Sequence, residues 1–183
     1  MGKSAPLTLA FVGLGDIADA MIWPVRLNRR IQVTACMDIV PERAEGFAGK
    51  NGIKMWYTDY KTMLSAGGFS AVYLAVPHFL HADMILQALE AGYHVFVEKP
   101  VTLTVEEAQR VEAEAGRTGL KVAVNYQYRY NAGAARMMQK IHGGSIGKPL
   151  SAVVQVPWSR DESYFSKAPW HGRKAQAGGG TLL

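Results

Sequence analysis

The sequence predicts an α/β chain built around a doubly wound parallel sheet, and three observations predict it. Short apolar runs alternate with longer helical patterns from residue 7 to residue 125, the arrangement that parallel strands require because each needs a crossover connection. The first run ends in a glycine turn that opens a helix, Gly13-Leu14-Gly15-Asp16-Ile17-Ala18. An acidic residue, Asp38, closes the second run.

The elements follow in chain order. LTLAFV (7–12) is continuously apolar, as a strand buried on both faces must be. Asp16 to about Leu27 has a helical pattern, with Pro24 expected to kink or shorten it. IQVTACMD (31–38) is the second strand, and Pro41 opens a helix through Ala48, since proline suits the first turn. KMWY (54–57) is a short third strand. Asp59 then caps a helix that ends near Gly67 and Gly68. AVYLAV (71–76) is the fourth strand. His81 to Glu90 is a helix with Met84, Ile85, Ala88 and Leu89 on one face, stopped by Gly92. HVFVE (94–98) is the fifth strand, and Thr104-x-x-Glu107 is a capping box opening a helix to about Thr118. KVAVN (121–125) is the sixth strand.

After residue 130 the pattern weakens. A helix is expected over 131–142 and a seventh strand over LSAVVQVPW (150–158), with almost no periodicity from Ser159 to Leu183. The predicted organisation is a nucleotide-binding domain over 1–125 and the start of an α+β second domain over 126–183. A structureless stretch of about 20 residues, and a lone strand without a sheet, are not stable endings for a compact domain. The chain therefore reads as the N-terminal part of a longer one.

Composition narrows the classes. The 183 residues are 49% hydrophobic and 19% charged with a net charge of +5, an ordinary globular balance. Lysines and arginines are scattered and no zinc-finger framework is present, which argues against nucleic acid. The single cysteine, Cys36, excludes an internal disulfide and a cysteine-based metal cluster; it lies in an apolar run and reads as a buried strand residue of a cytoplasmic protein. No histidine pair has ligand spacing, so no metal site is expected. No apolar stretch reaches the ~18–20 residues of a membrane span. Lys3, Leu7–Leu14 and Ala18-Asp19-Ala20 imitate a signal peptide, but Asp16 and two glycines interrupt the apolar stretch.

The chemistry starts at the glycine turn. Gly13 permits the tight turn, Gly15 lets backbone approach a pyrophosphate at the helix N-terminus, and Ala18 permits close helix–strand packing. Asp38 is placed to accept from adenosine ribose hydroxyls. Its charge repels a 2′-phosphate and Ile39 follows it, so NAD is favoured over NADP, with Arg43 one helical turn further on. Glu98-Lys99-Pro100 sits at the carboxyl end of the fifth strand, where doubly wound sheets bind ligands. A lysine there offers a compact positive charge to a substrate oxygen.

Together with AVPHFLHADMILQALEAGYHVFVEKP (75–100), VNYQYRY (124–130) and the Gly178–Gly180 run, this Rossmann-type turn resembles the glucose-fructose oxidoreductase, inositol dehydrogenase and rhizopine catabolism family. The resemblance spans essentially the whole chain, and Glu98-Lys99-Pro100 is its most specific element. It implies an NAD(P)-dependent dehydrogenase acting on a sugar, inositol or related polyol, homo-oligomeric in its full-length form. Lys99 would polarise the substrate hydroxyl or carbonyl, and Glu98 would contact the cofactor on the ribose side. Ala75, Pro77 and His81 would line the cofactor cleft, Tyr126 and Arg129 would lie near the substrate, and the Lys99–Pro100 bond would be cis. His78 stands where the family often has asparagine. In the family the triple glycine leads into Asp-x-Gly-x-His, which joins the lysine in catalysis and is not among these 183 residues. A chain that binds NAD but turns over poorly is the expectation that follows. A non-catalytic NAD(H)-sensing module, and a reductase of another pathway, are the alternatives. Trp158, Tyr164 and Trp170 read equally as sugar-pocket or second-domain core residues; His94, His142 and His171 read as strand and turn residues.

Overall fold

The computed structural model describes residues 5–179; Lys3 of the signal-like start and Gly180 of the glycine run lie outside them. Six strands form one parallel sheet: β1 (Leu7–Val12), β2 (Ile31–Met37), β3 (Met55–Tyr57), β4 (Ala71–Leu74), β5 (His94–Val97) and β6 (Val122–Val124). Their order is β3-β2-β1-β4-β5-β6. The order reverses between β1 and β4, and a crevice opens above the carboxyl ends of the strands at such a reversal. The glycine turn leaves β1 at this point.

Five helices connect the strands: α1 (Asp16–Leu27), α2 (Pro41–Asn51), α3 (Tyr60–Ala66), α4 (His81–Glu90) and α5 (Val105–Thr118). The two faces of the sheet carry separate cores, because side chains alternate along each strand. Phe11 and Tyr73 face Ala18 and Ile22 of α1 and Ala44 and Phe47 of α2. Ala10, Val12, Val72 and Leu74 face Met63 of α3, Ile85 and Leu89 of α4 and Val111 of α5. Each helix therefore buries one stripe, and the central strands are apolar on both sides. Pro24 does not shorten α1, which runs on to Leu27. The predicted caps are present: the Asp59 carboxylate accepts the Thr62 N–H, and Thr104 and Glu107 form the reciprocal capping box. Cys36 is fully buried in β2, and burial pushes its thiol up to about 12, outside the reactive range.

Residues 126–179 are built differently. α6 (Ala132–His142), capped by Asn131, buries none of its residues fully. The strand expected over 150–158 does not form: this stretch is irregular and exposed, with Val153 and Val154 each 84% accessible. Its alternating pattern has no sheet edge beside it, and a strand without a partner leaves its backbone groups unpaired. The region expected to lack periodicity instead holds α7 (Glu162–Lys167), a 3-10 turn (Pro169–Gly172) and α8 (Lys174–Ala177). No helix is long and apolar enough to cross a membrane among the described residues.

Candidate functional site

The glycine turn sits at the topological reversal and is built from backbone. Gly13 has φ +80°, and a Cβ there would strike the Ala75 carbonyl in the loop after β4. Only glycine meets both conditions. Gly15 caps α1 with no side-chain hydrogen bond, and a Cβ there would meet nothing within 4 Å. The first helical bond of α1 runs from Asp19 N–H to Gly15 O at 3.1 Å. The N–H groups of Asp16, Ile17 and Ala18 are therefore without helical acceptors at the positive end of the helix. That arrangement suits an anion such as a pyrophosphate. Ala18 is completely buried, while Ile17 is half exposed beside the turn.

Asp38 follows β2 and is 6% exposed. One carboxylate oxygen accepts the Leu14 N–H at 2.8 Å, and the other accepts the Val40 N–H at 2.9 Å. The aspartate thus locks the glycine turn to the end of β2. Leu14, expected as a cofactor-binding residue of the turn, has its N–H committed to Asp38 and its side chain buried. Each carboxylate oxygen keeps a second acceptor direction, so Asp38 retains capacity for hydroxyl donors. Ile39 is 79% exposed next to it and Arg43 is exposed at the start of α2.

Across the crevice, Glu98 and Lys99 follow β5. Glu98 is buried to 8% exposure, Lys99 is exposed, and the Lys99–Pro100 peptide is cis. Among the described residues no carboxylate pairs with Lys99. One Glu98 oxygen, Oε1, accepts the Tyr73 hydroxyl and the Asn125 amide, both at 2.6 Å.

Ala75, Val76, Pro77 and His78 are partly accessible in the loop after β4. His81, expected to line the cleft, is completely buried beneath it. Its Nδ1 lies 2.7 Å from the Pro100 carbonyl and its Nε2 3.0 Å from the Val76 carbonyl. His81 thereby ties the loop after β4 to the segment that carries Lys99. Burial pushes its imidazole below the ordinary range, and the two carbonyls and Glu98 only partly offset that. A neutral ring has one N–H, so only one of those carbonyls receives a hydrogen bond at a time.

The structure also brings together residues that spacing did not connect. His78 packs edge-on against Trp170 with ring centroids 4.6 Å apart, and its Nδ1 donates to the Ala177 carbonyl at 2.9 Å. His171 packs against Trp170 and stacks on Tyr164, with its Nδ1 buried and unpartnered. Burial lowers the pKa of both histidines, and the Lys99 charge reinforces this in each. The segment 162–178 is thus folded toward Lys99, across about 70 residues that no local pattern bridges. Tyr126 and Arg129 lie on the exposed turn after β6, the guanidinium 5.8 Å from the ring centroid. Trp158 is 54% exposed and lines no core, with Arg160 over its ring.

The model of a family described as an oxidoreductase family with an NAD-binding Rossmann fold matches residues 7–126. The chain belongs to that family. Among its curated relatives, the scyllo-inositol 2-dehydrogenase (NAD(+)) of Bacillus subtilis is 36% identical over 113 residues, covering 62% of this chain and 33% of the relative. The 1,5-anhydro-D-fructose reductase of Ensifer adhaerens is 30% identical over 156 residues, covering 83% and 45%. The WlbA dehydrogenase of Bordetella pertussis, solved in complex with NADH and UDP-GlcNAcA, superposes with a TM-score of 0.90 at 26% identity, covering 94% of this chain and 50% of that one. The chain spans between a third and half the length of these family members.

Proposed function

We propose that residues 1–125 bind NAD(H) and that residues 126–183 begin the substrate domain of a dehydrogenase acting on a hydroxyl of a sugar-like or polyol substrate. The observation that carries this reading is the pairing, across one crevice, of a helix N-terminus without a side-chain cap and an exposed lysine that no carboxylate of the described residues engages. The pyrophosphate would rest on the N–H groups of residues 15–18, with Asp38 on the adenosine ribose and Glu98 on the nicotinamide ribose. Ile39 brings no cation to a 2′-phosphate, which supports NAD over NADP. When bound, the nicotinamide supplies the hydride acceptor or donor. Lys99 holds the substrate oxygen and stabilises negative charge as its proton leaves. The names of the relatives, which concern inositol, anhydrofructose and a nucleotide sugar, support a polyhydroxylated substrate.

NADH titration of the chain tests this directly. Saturable enhancement of nicotinamide fluorescence is expected, with NADPH binding more weakly. Asp38→Ala should weaken NADH by about tenfold, the equivalent of roughly 1.4 kcal/mol. A flat titration would overturn the reading.

A further inference from the structure

The register of the sheet builds a polar cluster beneath α1. Phe11 of β1 lies opposite Tyr73 of β4, and Tyr73 lies opposite Phe96 of β5. Phe96 in turn lies opposite Ala123 of β6. With a side-chain period of two, the next residues on the same face of β5 and β6 are Glu98 and Asn125. Tyr73 reaches Glu98 along the diagonal, and Asn125 reaches it from the side.

The tyrosine has little freedom to do otherwise. Its ring meets Phe11 edge-on at 4.9 Å and stacks on Phe96 at 5.2 Å, and the residue is 1% exposed. Asn125 is buried too, with its amide also 3.8 Å from Met21 Sδ of α1. Burial, and next the Glu98 carboxylate, push the Tyr73 hydroxyl far up, so it stays protonated and remains a donor. Both hydrogen bonds land on Oε1. Oε2 receives none from any described residue, and it is not sealed from solvent.

We infer that Tyr73 and Asn125 are positioning residues for the Glu98 carboxylate: they hold it from one oxygen so that the other meets a hydroxyl of the bound dinucleotide. This rests on the NAD(H) reading above. Two donors converging on Oε1 restrain the rotation of the carboxylate and leave Oε2 free to accept. A carboxylate held this way loses no rotamer freedom when a hydroxyl arrives, whereas a free glutamate would. Tyr73 and Asn125 themselves never touch the ligand.

NADH affinity and thermal unfolding are measured for the parent chain, Tyr73→Phe, Asn125→Ala, Glu98→Gln and the double variant Tyr73→Phe/Glu98→Gln. Tyr73→Phe keeps the aromatic ladder and removes only the donor. It should weaken NADH by about three- to tenfold, the loss of one charge-assisted bond acting through a neighbour. Asn125→Ala should move affinity in the same direction. The double variant should bind no more weakly than Glu98→Gln alone, since the tyrosine acts only through that carboxylate. Lowered melting temperatures with unchanged NADH affinity in Tyr73→Phe and Asn125→Ala would reduce both residues to structural roles and overturn the inference. So would strictly additive losses in the double variant. A parent chain that fails to bind NADH would overturn the functional reading, and this one with it.

Discussion

Residues 7–125 and residues 126–179 are about equally apolar in places, yet one half is a packed sheet and the other is a set of short, exposed helices. In the first, Leu74, Val72 and Ile85 are fully buried between sheet and helices. In the second, Val153, Val154 and Leu150 stand in solvent, and Ala177 alone of residues 126–179 is buried. Hydrophobicity does not decide the difference; the availability of a partner surface does. Each strand of the first half finds a neighbour one crossover away. The stretch 150–158 finds none, and the segment after it is held instead at a few points, where Trp170 and Ala177 meet His78 and where Gly178 packs against Leu103.

The contrast can be broken most severely at Gly13. Gly13→Val should cost about 2–5 kcal/mol, summing a strained left-handed backbone with a clash against the Ala75 carbonyl. Urea unfolding measures that cost, and NADH binding should vanish with it. An unchanged unfolding midpoint would mean that the turn is not held against β4 as described.

Acidification comes next. His78, His81 and His171 all have their pKa lowered, first by burial. The folded state therefore favours their neutral forms, and the unfolded chain binds protons more readily below the ordinary imidazole value of ~6.5. Stability is full above that pH and falls as pH drops through it toward the lowered folded values. Melting temperature should decline between pH 7 and pH 5. His81→Gln should flatten the decline more than His142→Gln, whose histidine lies on the exposed α6. Equal slopes in the two variants would remove His81 from this account.

The smallest effect is expected where the second region is least packed. Val154→Ala removes two methyl groups that are already in water, and its change in stability should stay within about 0.5 kcal/mol. A loss of 2 kcal/mol or more, the scale of a buried side chain, would show that this stretch packs in solution as residues 7–125 do.

Much of the site was legible in one dimension. Gly13, Gly15 and Ala18 announce a turn because backbone approach and φ are properties of single residues, and Asp38 and Glu98-Lys99 fall at strand ends that apolar periodicity locates. The engagement of Leu14 by Asp38 was not legible, since it depends on β1 and β2 being neighbours. The burial of His81 was hidden for a related reason: it sits at a helix start, where periodicity does not say which way a ring turns. The convergence of His78, Trp170 and His171 near Lys99 joins residues far apart in the chain, and the missing seventh strand reflects a partner that pattern alone cannot supply.

The amino-acid sequence alone determined the alternation of strands and helices, the helix caps, the glycine turn and the residues at the strand ends, because each depends on local sterics and side-chain period. Tertiary structure decided what those residues do. Strand order placed Tyr73, Glu98 and Asn125 on one face, gave both oxygens of Asp38 to backbone, and folded residues 162–178 against the loop after β4. These are long-range contacts, and their formation depends on which surfaces meet once the sheet has closed.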